Sequence, residues 1–185
     1  MDCELLTTNI GACTDKVFKG FEQEILWGNR SEIDWENTTY DTATGLITEI
    51  AMVSGKTMHL VTVTALKPFS EFKITGEQKD LGILFKNEVA IKLKGLNPTN
   101  AVLVNTLSKG EFFGILPQQG VGIDAKYVAI GVESGLKATT PEFTTEMGAW
   151  NIPFTEEMCD GAGLFVYVGV AGVGTEAAIE ALKPA

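Results

Sequence analysis

The sequence predicts a mainly β chain: an antiparallel β-sandwich or barrel with one inserted α-helix. Three observations carry this. Short apolar or alternating runs recur between Gly-, Pro- and Asn-containing turns. One run, Phe85–Lys94, alternates cleanly enough to define an inner and an outer face. One segment, Asn97–Gly110, carries a full set of helix start and stop signals.

Taken in order, Phe21–Trp27 reads as a first strand ended by Gly28-Asn29. The polar stretch 29–45, rich in Thr, Asp and Glu, reads as a long loop. Leu46–Val53 and Met58–Leu66 flank the turn Ser54-Gly55-Lys56 and make an expected hairpin. Both faces of Met58–Leu66 are partly apolar, as in a strand covered on both sides. Lys67-Pro68 breaks the pattern. Phe69–Thr75 alternates weakly, and Gly76–Gly82 reads as a charged turn. In the next strand Phe85, Val89, Ile91 and Leu93 point inward, while Lys86, Glu88, Lys92 and Lys94 point out.

The helix follows. Asn97 is its N-cap and Pro98 its first residue; Ala101, Val102, Leu103, Val104 and Leu107 supply the apolar stripe, and Gly110 closes it. Glu111–Leu116 and Tyr127–Val132 are strands, with Gly120-Val121-Gly122 in the turn between them. Lys137–Thr145 and Asn151–Thr155 are short strands, Glu156–Gly161 an acidic turn, and Leu164–Val170 a strong Val-rich strand. A helix-like run, Thr175–Leu182, ends the chain. The 185 residues form one domain, with an N-terminal arm over about 1–18 and a C-terminal arm over about 171–185. No internal repeat or linker divides it.

Composition narrows the function. At 45% hydrophobic and 21% charged residues the chain is globular. Its net charge of -10, from 24 acids and 14 bases, argues against gripping nucleic acid, since that requires a basic footprint. The start MDCELLTTNIGACTDK lacks a basic region and a long apolar run, so no signal peptide is read. No run reaches the ~20 apolar residues of a membrane helix. Synthesis in a cytoplasm is expected. Three cysteines, Cys3, Cys13 and Cys159, do not make a disulfide framework. Cys3 and Cys13 could pair, but idle thiols are the commoner state in a reducing cell.

Catalytic templates fail on inventory. Ser-His-Asp and Cys-His sites need a histidine, and the one present, His59, lies in an apolar strand. Gly169–Gly174 has glycines ahead of a helix-like run but not the spacing of a phosphate loop, and reads as a hinge. The acidic groups Glu32, Asp34, Glu36, Asp41 and Glu156, Glu157, Asp160 match no calcium-loop spacing and read as solvated loops. Asn37-Thr38-Thr39 fits a glycosylation acceptor, without a secretory context. Trp27, Trp35 and Trp150 serve as core or contact anchors more often than as ligand platforms. No enzyme activity, metal or cofactor is expected.

The order of elements resembles a known family. Phe85–Lys94, Asn97–Leu107, Glu111–Leu116, the Gly131-Val132-Glu133-Ser134-Gly135-Leu136 segment, the 137–155 region and Leu164–Val168 follow the pattern of the C-terminal half of bacteriophage tail tube proteins. The start, from Cys3-Glu4-Leu5 through Gly11-Ala12-Cys13-Thr14-Asp15-Lys16 to Lys19-Gly20, is similar to that of small virion proteins of Bacteroidetes phages. The loop 29–45 departs from the pattern by being long. The resemblance implies a virion protein assembled in the host bacterial cytoplasm. Six copies would close a ring, rings would stack through loops and arms, and genomic DNA would pass through an acidic lumen without specific binding. Neck, tail-terminator and head-decoration proteins are the nearest alternatives. A ligand-binding or carbohydrate-binding β-barrel using Trp35 and Trp150 is the alternative of a different class. For subunit contacts the sequence offers Trp35, Tyr40, Glu77, Lys79 and Asp80. For lumen acids it offers Glu133, Glu142, Glu146, Glu156 and Glu157.

Overall fold

The computed structural model describes residues 24–41, 45–62, 72–79, 82–118, 127–146, 148–159, 164–166 and 175–184. The expected N-terminal arm, the Cys3–Cys13 pair, Lys67-Pro68, the 120–122 turn and the 169–174 hinge lie outside these residues. The strands are β1 (Glu24–Asn29), β2 (Thr39–Asp41), β3 (Leu46–Glu49), β4 (His59–Thr62), β5 (Phe72–Lys79), β6 (Gly82–Lys94), β7 (Glu111–Pro117), β8 (Tyr127–Ile130), β9 (Leu136–Ala138), β10 (Glu142–Thr144), β11 (Ala149–Cys159) and β12 (Leu164–Val166). The helices are α1 (Pro98–Leu107) and α2 (Thr175–Ala181).

The architecture is mainly β, with β7 at its centre. Along one edge β7 pairs β1, which pairs β4; along the other it pairs β8 and then β9. Beyond β8 lie β12, β3 and β2, completing a first sheet. A second sheet runs from β9 and β10 through β11 and β6 to β5. Pairing among the described strands is antiparallel except between β12 and β3.

Alternation explains how the layers pack. From β7, Phe112 and Leu116 point to one side and Phe113 and Ile115 to the other. The first pair joins Trp27, Val128, Ile130, Ile91, Ile152 and Phe154 between the two sheets, with Val104 and Leu107 of α1 beside them. There the rings of Trp27, Phe112 and Phe154 meet at centroid distances of 4.9–5.9 Å. The second pair joins Leu26, Ile33, Ile47, Met58 and Ala129 under α2. A sheet buried on both faces must be apolar on both, hence the run Phe112–Pro117 and the fully buried β8.

α1 begins and ends where its signals place it. The Asn97 side chain accepts from the Asn100 N–H at 2.9 Å. Only Val104 and Leu107 are buried, however, and Val102 stays 65% exposed.

Four expectations are corrected. First, the described part of the 29–45 loop, residues 29–41, carries regular structure. Residues 30–32 make a 3-10 turn, Ile33 bridges Met52, and β2 pairs β3. Polar side chains do the ladder's work here: Asp34 accepts from Asn37, and the buried Thr38 hydroxyl donates to the Asp34 carbonyl while accepting from the Ala51 N–H. Second, Ser54-Gly55 does turn, with Gly55 at φ +78°, but among the described residues the flanking strands do not pair; β3 goes to β2 and β12, and β4 to β1. Third, the charged residues Gly76–Lys79 and Glu156–Cys159 extend strands β5 and β11. Fourth, Thr175–Ala181 is not a free-standing arm. Ile179 and Leu182 are buried in the core, and the Met58 N–H donates to the Leu182 carbonyl at 2.9 Å.

The last correction has a direct consequence. Ile179→Ala removes a buried branched side chain and is expected to destabilise the subunit by about 2–4 kcal/mol, measured by urea unfolding. A segment that only reached to neighbours would leave the unfolding midpoint unchanged.

Candidate functional site

The features with a bearing on function are strand edges, exposed apolar side chains and whatever holds the loops in place. The most constrained loop is the turn 131–135. Gly114 of β7 opposes Ile130 of β8, while Phe112 opposes Leu136 of β9. Two steps along β7 therefore correspond to six along its partner, so four residues are looped out of one strand. At this excursion the strand's outer neighbour changes, from β12 beside β8 to β11 beside β9.

Glu156 fills the gap so formed. It is 2% exposed, on the inner face of β11 in phase with Ile152 and Phe154. One carboxylate oxygen accepts from the Gly131 N–H at 2.7 Å and the Asn87 side-chain amide at 3.0 Å. The other accepts from the N–H groups of Glu133 at 3.0 Å and Ser134 at 3.3 Å. These backbone donors have left the ladder, and a buried donor without an acceptor is costly. A carboxylate can accept several at once, which few other side chains can. From the other side Arg30 donates to the carbonyls of Val132 and Glu133 at 3.2 and 2.8 Å. Both glycines are required: Gly131 has φ +83° and Gly135 φ +77°, and an added Cβ would lie 2.4 Å from the Phe112 oxygen or 2.8 Å from Arg30 Cδ.

The expected lumen acids therefore separate. Glu156 is corrected from a channel-facing acid to a buried structural one. Glu133 is partly buried in the turn, and Glu142, Glu146 and Glu157 are exposed. Glu142 and Glu157 share the outer face of the second sheet, where lysines are interleaved; Lys86 lies 2.9 Å from Glu88 and 3.6 Å from Glu157. The Glu88 carboxylate holds the Lys86 ammonium above the usual lysine range.

Of the expected contact residues, Trp35 and Tyr40 come together, with ring centroids 6.3 Å apart. Trp35 also meets Phe113 edge-on, lies under the Arg30 guanidinium at 4.8 Å and donates to the Arg30 carbonyl. Tyr40 remains 40% exposed at the sheet margin. Glu77 is exposed on β5 and Lys79 ends that strand; Asp80 lies outside the described residues. Trp150 packs on Phe143 at 5.5 Å and against the inner core, so both indoles proposed for a ligand are engaged in packing.

Sequence reasoning missed three features. The edge strand β5 pairs only β6 among the described residues. Ile74 and Ile83 are exposed on the inner face of that hairpin, Ile83 by 57%. Asn87 is buried at an inward phase of β6, and a polar residue at such a position signals a buried partner.

Among the described residues no group of three or more His, Cys, Asp or Glu is placed to hold a metal ion, and no helix is long and apolar enough to cross a membrane. His59 is exposed at the start of β4, opposite Trp27. A groove of about 350 Å³ beside Arg30, Trp35 and Glu111, and another of about 370 Å³ over Lys86, Glu88 and Pro153, are open and of mixed polarity.

Glu156→Ala strands the turn's donors and is expected to cost about 3 kcal/mol by denaturant unfolding, with faster amide exchange at Glu133 and Ser134. Glu156→Gln recovers only part, because its NH2 end faces N–H donors. At the surface, the Lys56 ammonium and then the Asn29 amide hold the Glu32 carboxyl below the usual carboxylate range. The resulting small stabilisation is present above that usual range and is lost as pH falls through the lowered value. Lys56→Ala should move the Glu32 titration up toward its ordinary range, with the Asn29 amide still holding it partly down, read by NMR. No family model, curated protein or solved structure matches this chain.

Proposed function

We propose that this chain is a bacteriophage tail tube subunit, a virion structural protein. Six copies would close a ring, and stacked rings would conduct genomic DNA. The observation that carries the reading is the β5–β6 hairpin. Phe85 is the last β6 residue paired to β11, and beyond it the hairpin pairs only with itself among the described residues. Its far edge pairs no other described strand over eight residues, and its inner face exposes Ile74 and Ile83. An open edge of this length is a template for another chain, and exposed apolar side chains next to it mark a protein contact.

Two further features support it. From β6 through α1, β7, the 131–136 turn and β11 to β12, the order of elements follows the one the family resemblance implies. The net charge of -10 lets DNA pass without being held. A head-to-tail contact repeated around a closing rotation makes a ring, and matched ring faces make a stack.

Electron microscopy of the assembled particle tests the reading: the subunit is expected in the tail tube, as sixfold rings. Density for this chain in the neck, at the tail end or on the head would overturn it. Ile83→Glu is expected to abolish assembly in micrographs of the purified protein, while changing subunit stability by less than about 0.5 kcal/mol, because the side chain is largely exposed.

A further inference from the structure

The edge of β5 has a charge pattern that is complementary to itself. Lys73, Thr75 and Glu77 share the outer face of the strand, opposite Glu88, Lys86 and Leu84 of β6. Ile74 and Gly76 share the inner face, opposite Asn87 and Phe85. We propose that two free subunits pair antiparallel along β5, about a two-fold axis through Thr75.

In this register Lys73 of each copy faces Glu77 of the other, twice by symmetry. Directly opposed residues of an antiparallel pair lie on the same face, close enough for opposite charges to attract. Shifting the axis by one residue, to Gly76, sets Lys73 against Lys79. Parallel in-register pairing sets Lys73 on Lys73 and Glu77 on Glu77. The charges thus select one arrangement and oppose those two.

The inner face supports the same register independently. Ile74 of one copy comes to lie opposite Gly76 of the other. Gly76 has no side chain of its own, and a Cβ built there would touch Ile83 and Phe85 at 3.1 and 3.4 Å. Ile74 and Ile83, both exposed in the single subunit, are then covered by each other's copy. Length also favours a second copy as the partner. The other marginal strands β2, β4 and β10 have three or four residues, against eight in β5.

This pair goes beyond the ring reading and does not depend on it. A head-to-tail ring needs different faces on its two neighbours, so any use of β5 in a ring requires the two-fold pair to open first.

Sedimentation of the full chain over a concentration series tests it. The wild type is expected to dimerise. Lys73→Glu and Glu77→Lys each turn two attractive pairs into two repulsive ones, and should weaken the dimer on the order of tenfold or more. The double swap should restore it. Mixing the two single variants should also restore it, since each supplies the charges the other lacks, and this holds even if the double variant folds poorly. A wild type that stays monomeric at about 100 µM overturns the proposal. So do a double variant and a mixture that are both as weak as the single variants. Tube formation is scored separately by microscopy, so loss of one reading is distinguishable from loss of the other.

Discussion

The Glu156 carboxylate closes a gap that the strand arrangement opens. β8 and β9 are one strand running along β7, yet their outer neighbours differ, β12 on one side of the turn and β11 on the other. Where the neighbour changes, backbone donors lose their ladder partners. A single carboxylate takes three of them together with the Asn87 amide. The strand beside β7 can therefore change its outer neighbour while the backbone donors of the turn keep an acceptor. The pairing of β6 with β11 places Asn87 and Glu156 face to face in direct register, so the ladder delivers the amide to the carboxylate.

Because β7 is shared, everything around it is arranged in layers. The first sheet is covered on one face by the second sheet and α1, and on the other by α2 with Ile33, Trp35, Met52 and Met58. Pro153 shows how closely the strands are fitted. It sits mid-strand in β11, where a missing donor would normally break a ladder. Its carbonyl accepts from the Thr139 N–H at 2.9 Å, so its ring nitrogen faces the same edge, just past the end of β9, and the β6 ladder on the other side needs no donor from it. Pairing partners are fixed throughout this interior, whereas the outer edge of β5 pairs no other described strand.

Much of this was legible from the chain. The Asn97-Pro98 start, the inward phase of Val89, Ile91 and Leu93 and the strands at 111–116 and 127–130 all follow from local rules. The misread turns share one cause: charge and polarity taken as a sign of a loop. Glu77, Lys79 and Glu156 were assigned to turns, although Trp150, Ile152, Phe154 and Glu156 fall in strict alternation and so point the same way. Composition cannot report that an acid has four donors waiting for it. The β3–β12 pair and the true partner of β4 depend on contacts between distant segments, which no short window contains. The candidate surfaces were only half readable. Glu77 and Lys79 are expected as contact residues of a turn and lie instead on β5, whose outer edge pairs no other described strand.

The parallel pair of β12 with β3 carries a kinetic consequence. Phe165 lies beside Leu46 and Val166 beside Ile47, strands from opposite halves of the chain. Such distant partners close late, because the loop entropy must be met before the contact forms. On the ribosome, β2 and β3 cannot be seated until the C-terminal strand has emerged. β12 thus acts as a timer, holding back the seating of β2 and β3 until it has been made.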